Sequence, residues 1–484
     1  MGTNEDLRKK TVSSLIWKLF EQSSSSVVSL VVQIVMARLL TPSEFGMLAI
    51  MLVFVNVGNV LVQSGLNTAI IQGPDVTERD YSTVFWMSLA VSVVLYGVTW
   101  VASPAIANYY GMEVIVWPLR ALVLILIINA FNSIQEAIIA RDLEFSKTAR
   151  ATVAASITSG GAGIIAALLG AGIWALVLQQ IMFQGVKSAA LALQVTWKPR
   201  FIFDLDRALV LFRFSWKLLA SGLLEQGYQS LSDLMIGKVF DNSSLGFVSQ
   251  GKKYPQALGL MLDGAIQPVM LSAVARVQED RTRVKSLARR ALKTSTFLIA
   301  PAMTLFSFLA EPVVCLLLGE KWLPCVPYLR MYCFVYALLP VHTTNLQVLN
   351  GVGRSDLYLK LEIAKKAVGV SILCFTVFVL RDLRAIVFGY VVSGIICTFI
   401  NAHPNRRVIG YSYMEQIRDI LPAFVLAVVA GCISFPVSLL SLPLLLAIAI
   451  QSLVMGVAYL VLAKLLSVEE ISYLLGMLTK MRKG

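Results

Sequence analysis

Apolar stretches long enough to cross a bilayer follow one another from residue 12 to residue 466, separated only by short polar breaks. A helix needs about 20 apolar residues to cross the hydrocarbon. Backbone polar groups find no water there, so such stretches must satisfy them internally, as helices. About fourteen segments meet that length, the first near 12–40 and the last near 443–466. No break approaches the ~50 residues of a small soluble domain. The composition points the same way: 57% of residues are hydrophobic, 14% charged, and the mean hydropathy is +0.76. The expectation is an all-α polytopic membrane protein whose chemistry sits within or beside the bilayer.

The net charge is +13. In a soluble chain that excess would suggest nucleic acid, but membrane proteins gather Lys and Arg in cytoplasmic loops. With the N-terminus inside, the even-numbered exits carry Arg141, Lys147 and Arg150; Lys198, Arg200 and Arg207; Arg276 through Arg290; Arg354 and Lys360; Arg406 and Arg407. Most of the 41 basic residues then fall on one side, which makes both termini cytoplasmic in a multi-pass protein. Met1–Lys10 is polar and no small-residue cleavage site follows, so no cleaved signal peptide is expected. Cys374, Cys397 and Cys432 lie inside apolar spans as small hydrophobes. Cys315 and Cys325 flank one outer loop and could pair in an oxidising compartment.

The chain repeats itself. Ala37-Arg38-Leu39-Leu40-Thr41-Pro42-Ser43-Glu44-Phe45-Gly46 returns about 200 residues later as Gly237-Lys238-Val239-Phe240-Asp241-Asn242-Ser243-Ser244-Leu245-Gly246. Trp17-Lys18-Leu19 is echoed by Trp216-Lys217-Leu218, and more weakly Ala140-Arg141-Asp142 by Gly353-Arg354-Ser355. A unit of six spans starts each copy on the same side, which gives two parallel lobes with a site expected at their interface. The expected domains are residues 1–195, residues 208–402, and a third segment, 403–484, with two further spans and a tail.

Polarity is concentrated in the first two spans of each lobe. Lys18, Gln22, Ser25, Ser29 and Gln33 form a stripe at helical spacing in the first span; Asn56, Asn59, Gln63 and Asn67 do so in the second. The seventh span carries Lys217, Ser221, Glu225, Tyr228 and Ser232 with Asp233 beside them; the eighth carries Ser249, Lys253, Gln256, Asp263 and Gln267 with Lys252 beside them. A charge at the bilayer centre costs about 2.5–3.5 kcal/mol. Lys217, Glu225, Asp233, Lys252, Lys253 and Asp263 would together cost roughly 15–20 kcal/mol facing lipid, more than the whole stability of a typical protein. They therefore face one another or water, either as bridges in a closed bundle or as the lining of a hydrated cleft. Their charges cancel, so the cavity is not purely cationic. Arg38, Arg213 and Lys238 lie near span ends and could snorkel.

No phosphate-binding GxxxxGK[ST] loop, zinc spacing or Gly-x-Ser-x-Gly occurs, and no cofactor is expected. His342 is read as a helix-interface hydrogen bond and His403 lies at an inner boundary. Gly160, Gly161, Gly163, Gly170 and Gly172 are read as sites of close helix packing. Pro255 interrupts the eighth span as a hinge or a static kink.

The run Ala37–Gly46, then Gly65-Leu66 and Glu78-Arg79-Asp80, then Ala140-Arg141-Asp142-Leu143-Glu144-Phe145 and Asn350-Gly351-Val352-Gly353-Arg354, resembles the polysaccharide-transport branch of the multidrug/oligosaccharidyl-lipid/polysaccharide flippase superfamily. The resemblance covers essentially the whole chain. It implies two six-helix lobes alternating between inward- and outward-open states in a bacterial inner membrane. The implied cargo is a polyprenyl-pyrophosphate-linked oligosaccharide repeat unit for lipopolysaccharide or other surface polysaccharide. By position, Lys18, Lys217, Lys252 and Lys253 are the candidates for its pyrophosphate. A proton or sodium ion could drive transport, and glycosyltransferases and a polymerase are implied partners. Two readings stand beside it: a cation-coupled multidrug exporter using Glu225 and Asp263, and a membrane polymerase or ligase, for which the outer loops are short.

Overall fold

A computed structural model describes residues 24–63, 66–72, 76–440 and 442–471, with Trp17 and Glu21 ahead of them; the described residues form helices and turns and no strand. Packing divides the chain into two compact units, Met1–Gly246 and Phe247–Gly484. The first holds α1 (Ser24–Leu39), α2 (Pro42–Gln63), α3 (Leu66–Gln72), α4 (Glu78–Tyr110), α5 (Val116–Leu122), α6 (Leu124–Asp142), α7 (Phe145–Leu168), α8 (Ile173–Gln194) and α9 (Leu205–Val239). Then follow α10 (Asn242–Arg276), α11 (Arg281–Phe308), α12 (Ala310–Leu317), α13 (Val326–Ala337), α14 (Leu339–Gly351), α15 (Ser355–Phe375), α16 (Leu383–Val408), α17 (Tyr413–Ser434) and α18 (Leu444–Leu465). The expected lobes follow the repeat, whereas these units follow packing; α9 belongs to the first unit because it lies on α2, α3 and α4.

Twelve helical segments among the described residues are long and apolar enough to cross a membrane. The two expected spans outside that set are the two striped ones that open each lobe. The described part of the first is the shorter apolar helix α1. The other, α9, has 35 residues, or roughly 50 Å at about 1.5 Å per residue, but Arg213, Lys217, Glu225 and Asp233 lower its hydropathy. Charge content, not length, sets α9 apart. α10 runs unbroken through Pro255.

The repeat is visible in helix boundaries. α1 ends at Leu39 and α2 begins at Pro42; α9 ends at Val239 and α10 begins at Asn242. Both turns are capped by side chains three residues apart. Thr41 donates N–H and Oγ1–H to Glu44 Oε2 at 2.7 and 2.9 Å, and Ser244 Oγ donates to Asp241 Oδ1. Each copy also breaks its fourth span: a 3₁₀ turn (Glu113–Ile115, Glu320–Cys325), then a helix interrupted at Val123 or Leu338. The turn that follows pivots on a left-handed residue, Leu143 (φ 58°) in one copy and Gly353 (φ 77°) in the other. This shifts the alignment expected from the sequence. Leu143 stands opposite Gly353, so Arg141 and Arg354 are not equivalent.

In the first unit α7 lies along α8. Gly160 seats Val32 of α1, whose Cγ2 would stand 2.3 Å from an added Cβ, and Gly163 seats Gln179 at 3.0 Å. Gly161 has no such neighbour, while Gly170 and Gly172 (φ 76° and 56°) make the α7–α8 turn. Two of the five glycines thus serve packing and two serve a left-handed turn that a side chain would strain. In the second unit α11 receives α17 and α18 over Phe297, Ala300, Ala423, Ala427 and Ala463, and Tyr459 Oη donates to Phe297 O at 2.9 Å. Small residues there let the helix backbones approach closely. All six cysteines, Cys315 and Cys325 included, are free thiols.

Candidate functional site

α9 carries the most telling surface. Lys217, Ser221, Glu225 and Gln229 stand four residues apart and are all exposed; Gln229 Nε2 donates to Glu225 Oε1 at 2.8 Å. One position earlier, Phe212, Trp216, Ala220 and Leu224 form a parallel exposed row that is apolar, Leu224 reaching 70%. The buried positions include the small residues Ala208, Ser215, Ser230 and Gly237, which hold α9 close to its neighbours. An apolar exposed row on α9 thus runs directly beside an ionisable one. Asp233 is half-buried near the far end of the polar row.

The other expected site residues separate into kinds. Lys18 and Gln22 lie outside the described residues. Their neighbour Glu21 is buried and accepts from Thr152 Oγ1 of α7 at 3.0 Å. Gln33 is half-buried and Gln63 exposed. Asn59 accepts from Asn129 Nδ2 of α6 at 2.8 Å, so it bridges two helices. In the second unit Lys253 is exposed on α10 and Lys252 half-buried, while Asp263 accepts from Thr343 Oγ1 of α14. His342 Nδ1 shares a 3.0 Å hydrogen bond with Asn401 Nδ2, the helix-interface role expected of it. Lys238, near a span end where it could snorkel, donates to Tyr109 O and lies 3.9 Å from the centroid of its ring.

Two ionic clamps add to the expected residues. In the first unit, residues 195–204 fold back onto α4. Trp86 Nε1 donates to Arg200 O at 2.8 Å, Arg200 meets Glu78 at 2.9 Å, and Arg207 meets the buried Asp80 at 3.2 Å. Asp80 also accepts from Thr77 N and Oγ1, both at 2.8 Å. The Glu78-Arg79-Asp80 motif therefore ties α9 and its leading strap to α4. In the second unit Arg289 donates two hydrogen bonds, 2.7 and 2.8 Å, to Asp419, which also accepts from Tyr411 Oη at 2.7 Å. Lys285 meets Glu415 at 2.8 Å. Burial and the bond to Asp419 raise the Tyr411 phenol above its usual range, so it stays a donor. A sequence signal for this second clamp exists in Ser412-x-x-Glu415 ahead of an apolar run, the signature of a capped helix start.

The backbone makes one further close contact, inside the first unit. A Cβ on Gly46 would stand 1.8 Å from the carbonyl oxygen of Asn242, and one on Gly246 would stand 2.0 Å from that of Pro42. The matching glycines of the two repeat copies face each other's helix starts.

A helical bundle of this kind, with twelve apolar segments of membrane-crossing length among the described residues, is that of a polytopic membrane protein. Residues 35–327 match the family described as polysaccharide biosynthesis protein, and the chain belongs to that family. It is 25% identical to the succinoglycan biosynthesis transport protein ExoT of Rhizobium meliloti, over 71% of this chain and 70% of that one. It is 22% identical to the teichuronic acid biosynthesis protein TuaB of Bacillus subtilis, over 90% of each, and 22% identical to the lipopolysaccharide biosynthesis protein WzxC of Escherichia coli, over 89% and 88%. Its fold matches that of the lipid II flippase MurJ in an inward closed conformation (TM-score 0.72, 14% identity, 94% of this chain and 99% of that one). An inward-facing multidrug transporter of the MATE family shares it at TM-score 0.58, with 16% identity over 82% of this chain and 99% of that one. The chain is a multi-pass membrane protein of the polysaccharide biosynthesis family, in line with its motifs.

Proposed function

We propose that this transporter moves a polyprenyl-pyrophosphate-linked oligosaccharide from the cytoplasmic to the outer leaflet of a bacterial inner membrane by alternating access, with both termini cytoplasmic. The observation that carries the reading is the exposed ionisable row of α9. Lys217 and Glu225 stand in the interior of a helix whose adjacent row is apolar, and such charges are held there by a polar partner, by water or by a polar substrate. Lys217 supplies a cation for the pyrophosphate, Lys252 and Lys253 of α10 are further candidates by their position in the sequence, and Ser221 and Gln229 in the row of Lys217 suit a glycan. The relatives are named for three different surface polysaccharides, which supports this substrate class.

The test is complementation. In a strain lacking the native gene, surface polysaccharide is quantified with Lys217→Ala, Lys253→Ala and the double variant, each checked for membrane abundance. Export should fall with each and stop with both. Undiminished export by all three would remove the lysines from the mechanism. Loss confined to Glu225→Gln and Asp263→Asn would favour a cation-coupled exporter instead.

A further inference from the structure

The second unit carries a cavity of about 450 Å³ where helix ends meet. Its rim is cationic. Arg281 opens α11, Arg354 caps the start of α15 and Arg407 lies in the last turn of α16, against the single carboxylate of Glu279. Arg354 is matched by Asp356 through two bonds of 2.9 and 3.1 Å, but no ion pair engages Arg281 or Arg407 among the described residues. The floor is apolar, with Val352 and Val408. Gly353 at φ 77° turns the chain tightly enough to bring Arg354 to the rim directly after α14 ends.

The location narrows what such a cavity can take. Its arginines lie at or just beyond the ends of the apolar segments of membrane-crossing length Arg281–Phe308, Glu320–Gly351, Asp356–Leu380 and Leu383–Val408, where a spanning helix would meet lipid headgroups. Neighbouring cations on α11 are already engaged: Lys285 by Glu415, and Arg289 and Lys293 by Asp419. Two guanidiniums left over, above an apolar floor, match a phosphate carried on an apolar body. We infer that this cavity, lined by none of the residues proposed for transport, is a second binding site for a phosphate group at the bilayer surface.

The phosphate could belong to an anionic lipid or be free in solution, and two titrations tell them apart. Purified full-length protein is titrated with phosphatidylglycerol, bound lipid being counted by native mass spectrometry with phosphatidylcholine as reference. It is titrated separately with sodium pyrophosphate by calorimetry. Both titrations are repeated on Arg281→Ala/Arg407→Ala, on Arg281→Lys/Arg407→Lys, and on a control pair, Arg150→Ala/Lys198→Ala, which removes two exposed cations of the first unit instead.

Wild type should bind phosphatidylglycerol in preference to phosphatidylcholine. The alanine pair at the cavity should weaken that binding about tenfold, while the lysine pair and the control pair stay within about threefold of wild type. Phosphatidylglycerol binding without pyrophosphate binding supports the site with a lipid as the source. Pyrophosphate binding that the cavity alanine pair also loses supports it with a free phosphate as the source. Unchanged binding of both by that pair, at unchanged thermal stability, overturns the site. Equal weakening by the control pair overturns it too, as does binding of neither by wild type.

Discussion

α9 and α18 are both widely exposed, and they expose opposite chemistry. On α18 the most exposed positions are apolar, with Leu453 at 68%, Val457 at 51% and Leu465 at 74%. On α9 an equally open apolar row runs beside Lys217, Ser221, Glu225 and Gln229. Exposure alone therefore says little in a membrane protein, because lipid and water both count as outside. What separates the helices is the residue type at the exposed positions: apolar along α18, apolar and ionisable side by side along α9.

The comparison can be broken most directly by making α9 resemble α18. The double variant Lys217→Leu/Glu225→Leu keeps the helix and its length but erases the polar row; surface polysaccharide in the complemented strain should fall by more than about tenfold, with normal protein abundance. Retained export would mean that the row is not used. The reverse change sharpens it. Leu453→Lys on α18 should cost about 3 kcal/mol in a membrane-insertion assay, whereas Ser221→Lys on the polar row of α9 should cost less than about 1 kcal/mol. Equal costs would put both helices in the same solvent.

The anchoring of each helix gives smaller effects. Arg289→Ala leaves Asp419 buried with only Tyr411 and Lys293 near it, and should lower stability by about 2–3 kcal/mol in a thermal or denaturant melt. Lys238→Ala frees α9 from Tyr109 and should lower it by about 1 kcal/mol. An Arg289→Ala protein as stable as wild type would show that α17 is held by its apolar contacts alone.

Much of the fold is legible in the residues because bilayer length and turn chemistry are strong signals. The Thr41 and Asp241 turns fall where the repeat places them, and the charge that marks α9 as special also keeps it outside the set of apolar helices. The polar stripes are harder to read. Periodicity puts Asn59, Asp263 and Lys253 on comparable faces, but it does not say whether a neighbour presents a partner; Asn129 takes the first, Thr343 takes the second, and Lys253 stays exposed. The clamps at Asp80 and Asp419 join residues far apart in the chain; a local pattern such as Ser412-x-x-Glu415 marks a helix start but not the distant partner. Gly170 and Gly172 mislead for a related reason, since a glycine needed for a turn and one needed for packing look alike until φ is known.

The meeting of Gly46 and Gly246 involves main chain on both sides, so no rotamer change can loosen or tighten it. Whole segments have to separate. Each half of the duplication therefore constrains the other at this spot: enlarging either glycine forces apart the start of the other copy's helix, and no change at its counterpart can relieve that.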